Sequence, residues 1–202
     1  MRNHLNFKFS PRTNVNNYVI FRDINNNLRF VKIVQIIFLR CKNRIIVVNL
    51  RKMYVLSMAD VNYINENVAM PDIHFQLVNR WVSEVAASFD KGIGHLTYIF
   101  CSDERILEVN KQFLNHDYYT DIITFDNSRR GIITGDMYIS IETVSSNANL
   151  LHKSYEEELH RVIIHGVLHL CGINDKGPGE REIMEFNEDK ALNLLNKLKN
   201  EI

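Results

Sequence analysis

Paired cysteines are the first thing this sequence lacks. Its three, Cys41, Cys101 and Cys171, are odd in number, far apart and without a CxxC spacing, which excludes a disulfide framework and points to a reducing compartment. Cys171 reads as a buried structural thiol. Net charge is lacking as well, since 24 Lys and Arg balance 24 Asp and Glu. The balance conceals an asymmetry: residues 1–57 hold 11 basic residues and one acidic, and the remainder holds 13 basic and 23 acidic. An acidic domain is not the footprint of a free-standing, non-specific nucleic-acid binder, so any such contact needs a local patch or a partner. Long hydrophobic runs are missing too. The stretch Val31–Leu39 ends in Arg40-Cys41-Lys42-Asn43-Arg44, so no span of about 20 apolar residues fits, and no small-residue cleavage site follows an apolar core. No internal repeat is evident, and compositional bias is confined to the Asn-rich first 57 residues.

What is present reads as one α+β domain from residue 58 to 202. Apolar residues at Phe75, Val78, Trp81, Val82, Val85 and Phe89 recur at helical spacing and predict a core helix, ended by Gly92 and Gly94. Leu96-Thr97-Tyr98-Ile99-Phe100 predicts a strand, and Ser102 is placed to cap a second helix through about Phe113, with Asp103 and Glu104 in its first turn. Strands follow at 122–125 and 137–141, joined by a hairpin-type connection carrying Arg129 and Arg130, with the earlier strand alongside. A short helix covers 142–150. Ser154 and Glu157 then form a capping box for a helix whose face Leu159, Val162, Ile163 and Leu170 packs on the sheet. Pro178 favours a new start, and Ile183, Met184, Phe186, Ala191, Leu194, Leu195 and Leu198 predict a closing helix. The expected fold is a small mixed sheet of three or four strands covered by helices.

The stretch His165-Gly166-Val167-Leu168-His169-Leu170-Cys171-Gly172-Ile173-Asn174-Asp175 carries the chemistry. Two histidines four apart on a helix face the same way and suit one metal ion, at the end of the central helix. Gly172 can end that helix with positive φ, and Asp175 can return as a third ligand. Spacing alone is that of zinc peptidases, whose general base is a Glu after the first His; that position is Gly166 here, which opposes peptide hydrolysis.

His165-Gly166, Leu168-His169-Leu170 and Gly172, together with Thr120-Asp121-Ile122-Ile123-Thr124-Phe125 and Gly135-Asp136-Met137-Tyr138-Ile139-Ser140, resemble in order the three signature blocks of the YbeY family of rRNA maturation factors. The resemblance runs from about Met58 to the C-terminus. It implies a Zn-dependent, single-strand-specific endoribonuclease acting on the 3′ end of 16S rRNA and in ribosome quality control, in the bacterial cytoplasm, with rRNA and the small ribosomal subunit as partners. The ligands would be His165, His169 and Asp175, holding one ion; two imidazoles and a carboxylate also accept Ni, Co or Cu.

Two departures stand out. Asp175 occupies the position of the family's third His, and its charge should make water on the ion less acidic, raising the pH threshold of hydrolysis; a profile unchanged by Asp175→His would contradict this. Leu114 occupies the position of a family Arg thought to face the RNA phosphate. Candidates for the missing cation are Arg161, one turn before His165, and Arg129, Arg130 and Lys176; Arg161 could equally pair with Glu157 or Glu158. Asp121 and Asp136 read as turn-holding residues. A rival function is a ribosome assembly factor whose metal is mainly structural. For residues 1–57 three readings stay open: a basic RNA-binding arm, added strands, or an upstream extension not normally made. The composition shift at Met58 favours the last, and mass spectrometry of the native N-terminus decides it.

Overall fold

The computed structural model describes residues 60–201 and the backbone of five strands between residues 18 and 56. The chain divides into two units, Met1–Met58 and Ala59–Ile202. In the first lie β1 (Tyr18–Arg22), β2 (Leu28–Lys32), β3 (Ile37–Cys41), β4 (Arg44–Val48) and β5 (Tyr54–Leu56). There β2 pairs antiparallel with both β1 and β5, and β3 with β4. Those strands apart, the readings of residues 1–57 fall outside the described residues.

The second unit is the expected α+β domain. It comprises β6 (Asp60–Asn65), α1 (Phe75–Ser88), β7 (Gly92–Cys101), α2 (Asp103–Val109), a π-helical turn Asn110–Leu114, β8 (Ile122–Asp126), β9 (Ile132–Ser140), α3 (Ile141–Leu150), α4 (Tyr155–Cys171) and α5 (Glu180–Lys199). Its sheet has the order β6-β7-β9-β8, with the first three strands parallel and β8 antiparallel to β9. Because β7 is central and covered on both faces, Leu96–Cys101 is buried without a break, Thr97 included, rather than on alternate residues. Leu96, Tyr98 and Phe100 face the main core with Trp81, Met137, Ile163 and Val167, while Cys101 faces a smaller cluster with Ile106, Val109 and Ile123.

Two helices hold the main core in place. α1 buries Leu77, Val78, Trp81, Val82, Val85 and Ala86, and the Trp81 indole N–H donates to Ala191 O of α5 at 2.7 Å, so the large ring loses no hydrogen bond on burial. α4 starts with the predicted capping box: Ser154 Oγ accepts from Glu157 N, and the Glu157 carboxylate accepts from Ser154 N. It then runs across the sheet, which is why most of its residues from Glu158 to Cys171 are buried.

The structure corrects several boundaries. Gly92 and Gly94 do not end α1; they belong to β7, where the register slips between Ile93 and Leu96. A Cβ on Gly94 would come within 2.6 Å of Thr134 Oγ1, so this glycine marks a close strand approach. β9 begins at Ile132 rather than 137, and β6, whose Val61 and Tyr63 alternate inward against exposed Asp60 and Asn62, is an extra parallel edge strand. α2 ends at Val109 and relaxes into the π turn. In α5, Met184, Ala191, Leu195 and Leu198 are buried, whereas Ile183 and Phe186 face solvent.

Candidate metal centre

Helical spacing brings His165 and His169 together at the C-terminal end of α4, their Nε2 atoms 2.9 Å apart. Gly172 follows at φ 96°, with Gly172 N donating to His169 O and Ile173 N to Leu168 O, a paired closure that satisfies the last carbonyls and reverses the chain. The reversal returns Asp175, whose Oδ2 lies 3.6 Å from His165 Nε2 and 3.8 Å from His169 Nε2. One ligand atom from each of the three lies within 4.8 Å of the others, the only such group among the described residues.

The loop bearing Asp175 is anchored from α5. Glu180 accepts from Gly177 N at 2.7 Å and from the Asn174 amide at 3.4 Å, bracketing Asp175 on both sides.

Both imidazoles are oriented from behind. His169 Nδ1 lies 2.9 Å from Ile173 O, and a carbonyl can only accept, so this nitrogen carries the proton. His165 Nδ1 lies 2.7 Å from Glu188 Oε1, a buried carboxylate on α5. With both Nδ1 atoms donating, the neutral rings aim two Nε2 lone pairs at each other and at a carboxylate oxygen. Such a convergence is repulsive unless a proton or a cation sits within it, so the donor set fits a divalent ion held by two nitrogens and one oxygen.

Burial works to lower the pKa of His165, but the hydrogen bond and charge of Glu188, with Asp121 and Asp175, prevail and hold it above the usual histidine value. Burial and the neighbouring His165 hold His169 below that value.

The candidate cations fare differently. Arg161 is committed to α5, donating to Glu188 at 2.9 Å and to Asp189 at 3.0 Å, rather than pairing with Glu157 or Glu158 or facing the cleft. Lys176 is exposed, and its charge reaches His169. Arg129 and Arg130 are exposed at the tip of the β8–β9 hairpin, where Arg130 adopts φ 51°. Asp121 holds the chain at the start of β8, accepting from Ile122 N at 2.8 Å. Asp136 lies within β9, and Leu114 is exposed at the end of the π turn.

Sequence reasoning missed Glu188 and Glu180. Both sit on α5 among many acidic residues, and only the α4–α5 packing singles them out. Cys171 is buried beside the site, and burial pushes its thiol up to about 12, so it is unreactive.

The profile of the family described as Endoribonuclease YbeY matches residues 61–196. A Phocaeicola vulgatus protein named Endoribonuclease YbeY is 60% identical over 135 residues, covering 67% of this chain and 98% of that protein. A Porphyromonas gingivalis protein of the same name is 49% identical over 138 residues, covering 68% and 91%. The solution structure of a Thermotoga maritima protein aligns with a TM-score of 0.49 at 26% identity, over 70% of this chain and 90% of that one.

Proposed function

The chain belongs to the Endoribonuclease YbeY family, and from that premise we propose that it is a single-strand-specific, metal-dependent endoribonuclease that matures the 3′ end of 16S rRNA and serves ribosome quality control in the bacterial cytoplasm. The observation that carries the reading is the convergence of His165, His169 and Asp175 on one point. Three protein ligands leave a four-coordinate ion one position short, the arrangement of catalytic rather than structural zinc. Zinc is the proposed ion on the strength of two nitrogens and one oxygen. When bound, it would supply Lewis-acid polarisation of a phosphate oxygen or of water.

The chain's own residues do the rest. Glu188 keeps the His165 proton on Nδ1 and so keeps Nε2 free as a ligand, and Ile173 O does the same for His169. Asp175 brings a negative charge that lowers the net charge of the loaded site. Lys176 is the candidate cation best suited to an RNA phosphate, because Arg161 is tied to Glu188 and Asp189; Arg129 and Arg130 would meet flanking phosphates.

Purified, nuclease-free protein should cut an unstructured RNA carrying the 3′-extended end of 16S rRNA. Cleavage should vanish in His165→Ala, which should stay folded, and in chelated protein. Cleavage by His165→Ala at the parent rate would refute the reading; a protein that bound the small subunit and never cut RNA would favour the assembly-factor alternative.

A further inference from the structure

Among the described residues, twelve large apolar side chains are exposed, and four of them fall within seven positions: Phe113 (60%), Leu114 (44%), Tyr118 (54%) and Tyr119 (58%). Exposing rings this way is unfavourable, and a mobile loop could fold them back. This loop is pinned instead. The buried Asn110 donates its amide to Tyr118 O at 2.9 Å, and its carbonyl accepts from His116 N at 3.2 Å. Asn115 takes φ 57° to turn the chain, and Lys111 pairs with Asp117 at 2.7 Å across the turn. The π turn that opens the segment is a feature that recurs at functional sites.

The rings are organised as well. His116 stacks on Tyr118 with centroids 5.1 Å apart and planes 23° apart, and the Tyr118 hydroxyl meets His116 Nδ1 at 3.1 Å. Phe113 stands edge-on to Phe125 at 5.4 Å. The segment leads directly into the start of β8, which packs against α4 next to His165. Asp121, two residues after Tyr119, acts electrostatically on His165, and Ile122 Cδ1 lies 2.7 Å from where a Cβ on Gly166 would stand. Three residues of chain reach at most about 10 Å. The one lysine of the segment pairs with Asp117, so what the loop mainly offers is π-faces.

We propose that Tyr118 and Tyr119, with His116 backing Tyr118, form a platform on which unpaired bases of an RNA strand stack beside the metal centre. The proposal rests on the endoribonuclease reading for the identity of the occupant. It deepens that reading: recognition at this rim is by stacking, indifferent to which base is present and insensitive to salt, where a cation would have made it electrostatic.

The test uses the full chain in a His165→Ala background, so that RNA is not cut, and a fluorescent, unstructured RNA oligonucleotide alongside one of equal length with abasic sites at its centre. The background protein should bind the base-containing strand more tightly than the abasic one. Adding Tyr118→Ala and Tyr119→Ala together should lower affinity for the base-containing strand roughly tenfold or more, leave the abasic strand unaffected and leave the salt slope unchanged. Tyr119→Trp should retain affinity, and with unlabelled RNA its indole fluorescence should be quenched on binding, a readout that stands if the double variant folds poorly. Equal affinity for both strands, equal losses on both, a Tyr119→Trp variant whose emission RNA leaves unchanged, or no binding at all would each overturn the platform. A chain that stacks bases as expected yet cuts no RNA when His165 is intact would instead overturn the nuclease reading and leave the platform standing.

Discussion

A buried carboxylate shared between an imidazole and a guanidinium has two tasks, and Glu188 performs both. It fixes the tautomer of His165, and its charge is matched by Arg161 so that it does not stand alone in the protein interior. Glu188→Gln keeps the shape but turns the acceptor into a weaker, neutral one. Metal affinity, measured by competition with a chromogenic chelator, should fall roughly 10- to 100-fold while the melting temperature changes little. A second residue-scale prediction concerns His160, buried with its ring edge-on to Trp81. Burial drives its pKa down to about 4, so the ring is neutral and its 3.9 Å approach to Glu156 is not an ion pair. The folded state thus takes up its proton less readily than the unfolded chain, whose histidine titrates near the ordinary value of 6.5. Stability is fully present above 6.5, is lost as pH falls through that value, and the loss is complete near 4. Between about pH 7 and pH 5 it amounts to about 2 kcal/mol. His160→Phe should flatten that part of the melting-temperature profile, whatever it does to stability at neutral pH. The sequence made the His165, His169 and Asp175 cluster legible because its spacing is local. Glu188 was not, because its partner lies 23 positions away and nothing in α5 marks one acid among several.

At the scale of the element, α4 explains why a glycine follows the first histidine. The helix crosses the sheet so closely that a Cβ at Gly166 would meet Ile122 Cδ1 at 2.7 Å, Met137 Sδ at 3.0 Å and Thr124 Oγ1 at 3.1 Å. The position that supplies a peptidase with its base is here the contact between helix and sheet. Gly166→Glu should therefore lower the melting temperature by overpacking and by burying an unpaired carboxylate, and should give no peptidase activity; a stable Gly166→Glu variant cleaving a peptide would contradict this. The ends of the helix were legible because capping chemistry is local: the Ser154 and Glu157 box and the Gly172 turn stand where the sequence puts them. Strand starts were less so. Gly92 and Gly94 look like breakers until the slip against β9 shows that they admit a neighbouring strand. β6 is an edge strand whose partner β7 lies beyond α1 along the chain, so no local pattern announces the pairing.

For the molecule as a whole, an ion at the candidate site could either hold the fold or work on it. The main core, from Trp81 through Phe100 to Val167 and Leu198, closes without any of the three candidate ligands, and α5 is fastened to the rest by the Trp81 bond and by Arg161 as well as through Glu188. A domain of this kind should stay folded on chelation, unlike small zinc modules that unfold without metal. An ion held by the cluster would bind only the folded state and would contribute stability by mass action, about 3–4 kcal/mol when free metal is roughly 100 to 1,000 times the dissociation constant. Chelation should thus lower the melting temperature by several degrees, leave the far-UV spectrum at low temperature unchanged, and be reversed by adding metal back in proportion to its concentration. The loss should shrink in Asp175→Ala, which lacks one of the ligands, and collapse of the far-UV signal on chelation would move the assignment to a structural metal.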